Sequence, residues 1–221
     1  MARRAPQPVL RVVLTRELIV HAAVELVERE GARALSMRAV GAELGVSAMA
    51  MYRHVPSKDA LIEGMAEYVM AGLDVPEDPA TDWKAGARAL MRAFRAIAQE
   101  YPRSLALVVA SRIAIPVGLR AIERALSLCA DAGLDGPASV HVTRAMMAYA
   151  LGSQLREATQ GRRHDSRDDD PAATVRTLSA GRFPHVASLP AELAEHGPDA
   201  DFEFGLELFL SAIESMGQHA P

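Results

Sequence analysis

The sequence predicts an all-α protein in two parts, an N-terminal helix-turn-helix head of three helices and a larger C-terminal helical bundle. Three observations carry this. Apolar residues recur three and four apart along the long segments, and no run alternates with the period of two that a half-buried strand needs. Ser, Thr or Asp precedes several of these runs and Gly or Pro follows them, the residues that start and stop helices. The stretch Ser36–Lys58, SMRAVGAELGVSAMAMYRHVPSK, holds two short helical patterns separated by a glycine and an apolar residue, the spacing of a helix-turn-helix.

Residues 1–14 read as a partly ordered arm in which Arg3, Arg4 and Arg11 stand among prolines. Thr15 caps the first helix, whose stripe is Ile19, Ala22, Ala23, Leu26 and Val27, and Gly31 closes it. Ser36 caps the second, because its hydroxyl can accept from an otherwise unpaired N–H of the first turn. That helix runs Met37 to Leu44, with Val40 and Leu44 on one face; Gly45 then ends it in the left-handed conformation open to glycine. Val46 is apolar within the turn, and Ser47 caps a third helix, Ala48 to about His54. At about 100° per residue, Met51 and Val55 point one way and Met49 and Arg53 nearly opposite. The first pair packs on the preceding helix and the second is left for a partner. Pro56 blocks extension, Ser57 caps the next helix with Asp59 in its first turn, and Leu61, Ile62, Met65 and Val69 continue it to about Leu73.

The free face of the third helix points to DNA. Ala48 and Ala50 are small enough to let it enter a groove, and Met49 offers apolar contact to thymine methyls. Tyr52, Arg53, His54 and Lys58 supply donors of the kind that meet phosphate oxygens, and the N–H groups beside Lys58 make a further phosphate site. Charge agrees. Of a net −4 over 221 residues, residues 1–58 carry nine basic and five acidic side chains, and the remainder fifteen and twenty-three. A basic head on an acidic body suits a DNA reader with a separate sensing or assembly part.

This stretch resembles the DNA-binding head of the TetR (tetracycline repressor-like) family of dimeric transcriptional regulators. Gly31, Leu35, Ser36, Arg38, Val40, Leu44, Gly45, Val46, Tyr52, His54, Val55, Lys58 and Leu61 carry the likeness. The resemblance implies that Arg38 contacts a base. It gives a candidate DNA-binding set of Ser36, Arg38, Ser47, Ala48, Met49, Ala50, Tyr52, Arg53, His54 and Lys58, acting on a double-stranded palindromic operator.

Beyond the head, Asp74-Val75-Pro76-Glu77-Asp78-Pro79 reads as a linker. The expected domains are therefore 15–73 for DNA binding and 82–221 for ligand binding and dimerisation. Asp82 caps a long helix carrying Leu90, Met91, Phe94, Ile97, Ala98 and Tyr101, which Pro102 ends. Leu105–Val109 is short and almost wholly apolar, so it is expected buried. Pro116 starts a helix with Leu119, Ile122, Leu126 and Cys129 inward, stopped at Gly133. A helix from about Pro137 to Thr159 is apolar on two faces, Val142, Met146, Tyr149 and Ala150 on one and Val140, Met147, Leu151 and Leu155 on the other. The last helix, Phe202–Met216, behaves alike, with Phe202, Leu206, Phe209, Ile213 and Met216 opposed to Phe204, Leu208 and Ala212. A helix apolar on both sides needs two partners, so the second faces predict a homodimer interface of Val140, Met147, Leu151, Leu155, Phe204, Leu208 and Ala212. The resemblance implies the same, a four-helix interface from these two helices of each subunit. FEFGLELFLSAIE (202–214) is similar to the terminal helix of the tetracycline-repressor subgroup, whose drug-and-magnesium histidine ligands have no counterpart in VVASR (108–112) or MAGLD (70–74).

The inner surfaces of this bundle, with Trp83 and Ile115 among their residues, are expected to enclose an apolar effector pocket lined by Met91, Phe94, Ile97, Val108, Ile113, Leu119, Met146 and Tyr149, with ten methionines in the chain favouring an adaptable wall. Gly161–Asp170 mixes His164 and four aspartates with three arginines at no fixed ligand spacing, a solvated loop rather than a metal site. A short helix Ala172–Ser179 follows. No Walker, GxGxxG, GxSxG, HExxH or CxxC motif occurs, so no catalytic residue, cofactor or metal is assigned; His141, Tyr149 and Glu157 are the only loosely grouped polar residues of the bundle. The single cysteine, Cys129, excludes an internal disulfide framework and fits the cytoplasm. No apolar run approaches the ~20 residues that span a bilayer, and Met1–Gln7 is followed by no signal-peptide core. The expectation is a ligand-responsive repressor. The alternatives are a helical ligand carrier or enzyme with a structural helix-turn-helix, and an activator of the same fold.

Overall fold

The computed structural model describes residues 13–73, 82–111, 116–161, 170–195 and 197–218. Among them the chain forms α-helices and no strand: α1 Arg16–Glu30, α2 Met37–Glu43, α3 Ala48–Tyr52, α4 Lys58–Val69, α5 Trp83–Glu100, α6 Pro102–Ala110, α7 Pro116–Asp131, α8 Gly136–Gly161, α9 Pro171–Ser179, α10 Pro184–Ala187, α11 Pro190–Ala194 and α12 Pro198–Gln218. Most of the arm and linker, Ile113, and residues 162–169 of the charged loop lie outside the described residues. No described helix is long and apolar enough to cross a membrane.

Contacts divide the chain into two compact units, residues 1–74 with 100–120, and 75–99 with 121–221. The chain therefore passes between them three times. In the first unit α1 packs on α2, α4 and α6, and α2 on α3. Ile19, Ala23 and Val27 of α1, Val40 of α2, Met51 and Val55 at α3 and Leu61 and Met65 of α4 are all fully buried. Burial of each larger side chain stabilises by about 1.5–3 kcal/mol, so this one cluster holds the head together. Arg16 adds an ion pair to Glu67 across α1 and α4 at 2.8 Å.

The helix expected over 105–109 is longer and buries one face only. Ser104, Leu105 and Val108 are buried while Val109 is exposed. Its inner face is used on α1 and α4, and the opposite face of so short a helix looks outward whatever its composition.

In the second unit Asp82 caps α5 by accepting from the N–H groups of Lys84 (2.7 Å) and Ala85 (3.0 Å). Leu90, Met91, Ala98, Met146, Ala150, Phe202, Leu206, Leu210 and Ile213 make the core. A ladder of ion pairs joins α5 to α12 in antiparallel register: Lys84–Glu214 at 2.6 Å, Arg88–Glu207 at 2.6 Å, Arg92–Glu203 at 2.7 Å and Arg95–Asp199 at 2.8 Å. Exposed pairs are worth only about 0.2–1 kcal/mol each. Their effect here is to allow one axial alignment of the two helices.

Two expectations change in this unit. Of the α7 residues expected inward, Leu119 and Ile122 are exposed, Leu126 is half-buried and only Cys129 is buried, joined by Leu128. The inward stripe runs 121, 125, 128 and 129. The cause is Gly86 of α5, where any Cβ would lie 2.6 Å from Leu128 Cδ2; the bare backbone admits Leu128 and so sets the rotation of α7. Residues 180–195 also hold two further short helices. Each of α9, α10 and α11 begins with a proline, whose fixed φ and missing N–H suit the first helical position, and the three pack on one another.

Candidate nucleic-acid interface

Three serine caps define the reading element. Ser36 Oγ accepts from Ala39 N (3.1 Å), Ser47 Oγ from Ala50 N (3.3 Å) and Ser57 Oγ from Ala60 N (3.0 Å), each satisfying a donor that a helix start leaves unpaired. Between α2 and α3 the turn is closed by Val46 N donating to Gly41 O at 2.8 Å, and Gly45 takes a φ of 65°, which a side chain rarely adopts. Ser36 and Ser47, expected at the interface, are thus also the residues that fix its backbone.

α3 is only five residues long, and its two sides differ completely. Met51 and Val55, just past its end, are fully buried, while Met49 is 76% exposed. Ala48 and Ala50 are half-buried on the flanks, and Arg38, Tyr52, Arg53, His54 and Lys58 are exposed. The expected DNA-contacting side chains therefore stand free on α2, α3 and the start of α4.

The charges of the head are sorted in a way the sequence did not reveal. Arg16 is paired with Glu67, and Arg29 with Glu30 and Glu43. Among the described basic residues of 13–73, Arg33, Arg38, Arg53 and Lys58 have no carboxylate partner. Arg33, in the short 3-10 turn before α2, is an addition to the expected set. Its only sequence signal was its place three residues ahead of the Ser36 cap. Glu17, at the start of α1, is held below the usual glutamate range by a backbone hydrogen bond and by Thr15, with the charges of Arg16 and His54 contributing.

The expected effector residues fall in both units. Met91, Ile97 and Met146 are buried and Phe94 half-buried in the second; Val108 is buried in the first. Leu119 is 56% exposed and lines no enclosed wall, a consequence of the α7 rotation. Tyr149, expected as a polar group of the pocket, already donates its hydroxyl to the carbonyls of Asp201 (3.0 Å) and Phe202 (2.8 Å) and stacks on the Phe202 ring. Burial raises its pKa. An open depression of about 310 Å³ in the second unit is lined by Trp83, Asp131, Glu214 and Gln218 among others; of these Trp83 alone was expected on an inner surface. Of the expected interface residues, Val140, Phe204, Leu208 and Ala212 are exposed, Met147 and Leu151 are half-buried, and the side chain of Leu155 lies outside the description.

Comparison with known proteins gives the class. Residues 19–65 match the profile described as bacterial regulatory proteins, tetR family, and residues 75–216 that of the tetracyclin repressor-like C-terminal domain. The HTH-type transcriptional repressor DrrR1 of Streptomyces coeruleorubidus is 32% identical over 99% of this chain and 84% of its own. The class C tetracycline repressor protein of Escherichia coli is 26% identical over 92% of each. Among solved structures, the Streptomyces coelicolor TetR family protein ActR in complex with (S)-DNPA is similar with a TM-score of 0.73 at 25% identity, over 92% of this chain and 98% of that one. The chain belongs to the TetR family: it is a ligand-responsive, DNA-binding transcriptional regulator.

Proposed function

We propose that the chain is a cytoplasmic, homodimeric repressor that holds a palindromic operator and leaves it when a small apolar molecule enters the second unit. The observation that carries the reading is the sorting of charge on the head. Among the described residues of the head, Arg16 and Arg29 of α1 are neutralised by carboxylates, whereas Arg33 just before α2 and Arg38, Arg53 and Lys58 around the apolar centre of α3 are left free. In this reading Arg38 and Arg53 address base edges, Met49 and Ala48 the methyl groups of thymine, and Tyr52, His54 and Lys58 the phosphates. Two heads related by a two-fold axis address half-sites about one helical turn, ~34 Å, apart or somewhat more. The exposed apolar faces of α8 and α12 supply that axis.

Release is a population shift: the effector favours a dimer whose heads no longer match successive major grooves. The buried Met91, Ile97 and Met146 are the residues of the second unit that such a molecule would meet. Two likenesses support the reading, the repressor DrrR1 and the complex of ActR with a small molecule. The test is selection of duplexes from a random pool. The parent chain is expected to enrich a palindrome and the Arg38→Ala/Arg53→Ala double variant to enrich none. Enrichment of the same palindrome by both would sink the assignment of these side chains.

A further inference from the structure

We infer that Glu28 and Arg103 are positioning residues that bind the end of α1 to the start of α6, so that the two helices move as one piece and carry the state of the second unit to the reading head. The inference rests on the regulatory reading above.

The helix starting at Pro102 has no cap of its own. Tyr101 before it offers no side-chain hydrogen bond, and the proline has no N–H to satisfy. The missing cap comes from α1: the Glu28 carboxylate accepts from Ser104 N at 2.7 Å and from Arg103 N at 3.3 Å. The service is returned. The last carbonyls of a helix lack intrahelical partners, and Arg103 Nη1 donates to two of those on α1, Glu28 O at 2.9 Å and Arg29 O at 2.7 Å. Each helix thus completes the other's terminus. Ser104 is sealed from solvent at the joint. Nearby, Tyr68 of α4 meets the rings of His21 on α1 and Tyr101 at the start of α6 edge-on, at 5.7 and 5.9 Å.

Connectivity gives this joint its role. The chain passes from the second unit to the first between Gln99 and Glu100, and back between Arg120 and Ala121. α6 lies in the one segment of the first unit tied covalently to the second at both ends. A rearrangement there pulls on α6 through the main chain. Displacing α6 then either draws α1 with it or gives up four hydrogen bonds at once, each with the Glu28 carboxylate or the Arg103 guanidinium as one partner, and such charge-assisted bonds are stronger than neutral ones. Because α1 packs on α2, which holds α3, the reading pair follows α1. A position that binds DNA and one that does not are separated by the movement of one jointed body.

The experiment needs no effector, because linkage is reciprocal: if the second unit can act on the head, operator DNA on the head must act on the second unit. Full-length parent, Arg103→Met, Glu28→Ala and Glu28→Gln are compared by amide hydrogen exchange, each with and without the duplex that the parent selects. In the parent, DNA is expected to change exchange in α1–α4, in α6 and onward into residues 121–161. Arg103→Met keeps the side-chain stem, and it and Glu28→Ala are expected to bind the duplex as the parent does but to lose the change beyond α4. Glu28→Gln, whose amide oxygen still accepts from Ser104 N–H, is expected to restore it. The inference is overturned if the change spreads equally in both joint-breaking variants, or if it stops at α4 in the parent. It is overturned too if Arg103→Met, at parental helix content, simply loses the duplex, since the pair would then be a fixed prop. A parent that selects no duplex overturns the regulatory reading first.

Discussion

The guanidinium of Arg95 lies over the ring of Phe202, 4.7 Å from its centroid, inside the second unit. It is almost wholly buried, yet it is a charge: its Nη2 donates to Glu157 at 2.6 Å and to Asp199 at 2.8 Å, while its Nε has no partner. Burial works against the cation, but the hydrogen bonds to Glu157 and Asp199 outweigh it and its pKa is raised. Arg95→Met keeps the stem and leaves the Glu157 carboxylate, to which Gln99 still donates at 3.2 Å, without its cation in a largely enclosed site. Breaking a buried pair from one side costs on the order of 3 kcal/mol, whereas replacing both members by apolar groups costs much less. Arg95→Met should therefore lower the denaturant midpoint clearly and Arg95→Met/Glu157→Leu should recover most of it. Equal losses in the two would mean the charge, not its pairing, is what the core needs.

The ladder between α5 and α12 predicts an acid limb of stability. Hydrogen bonds from Arg92 and Arg88 hold Glu203 and Glu207 below the ordinary glutamate value of 4.5. A depressed carboxylate contributes stability that is complete above its unfolded value and disappears as pH falls through the lower folded one. Stability should hold above about pH 4.5 and decline below it. Both groups are substantially exposed, so screening keeps the effect modest. Urea unfolding of the parent and of Glu203→Gln/Glu207→Gln across this range is the check; parallel curves would remove the ladder as the source.

Assembly is tested through α12. Phe204 and Leu208 are 69% and 58% exposed in the single chain, too much apolar surface on one helix face to be without a partner. Leu208→Arg on α12, or Leu151→Arg on α8, should place a charge in the proposed interface and yield a helical monomer that no longer holds the operator. Sedimentation decides it. A parent that sediments as a monomer at micromolar concentration would refute the prediction.

Arg38 and Lys58 should fail differently. Loss of a bidentate base contact costs roughly 1–3 kcal/mol and relaxes preference at one symmetric base pair, while loss of a phosphate contact weakens all sequences alike and lowers the salt slope by about one per subunit. Titrating Arg38→Ala and Lys58→Ala against operator mutants at several salt concentrations separates the two. An even loss across the set for Arg38→Ala would make that residue a phosphate clamp.

What could be read from the sequence was local. Ser36, Ser47 and Ser57 act within three residues, Gly45 acts on its own φ, and the opposition of Met51 to Met49 is one helix's geometry, so the head was legible almost residue by residue. The bundle was legible only as helices. Arg88 meets Glu207 and Arg92 meets Glu203 across more than a hundred residues, and alone each looks like part of a solvated face. Arg95 was hidden in an apolar stripe for the same reason. The face of α7 was misjudged because Gly86, 42 residues before Leu128, decides it. Nothing in sequence marks Glu28, since a helix that borrows its cap from elsewhere leaves no local sign.

Trp83 is the chain's single tryptophan, and Lys84 sets its ammonium 5.6 Å from the centre of that indole. The ring opens α5 and borders the depression with Asp131, at the end of α7, and Gln218, at the end of α12. Three helix ends and one chromophore therefore share a neighbourhood in which a nearby cation biases the excited-state dipole. The emission wavelength of the unlabelled protein becomes a gauge of how those ends are disposed, and effector titrations can be followed optically with no dye attached.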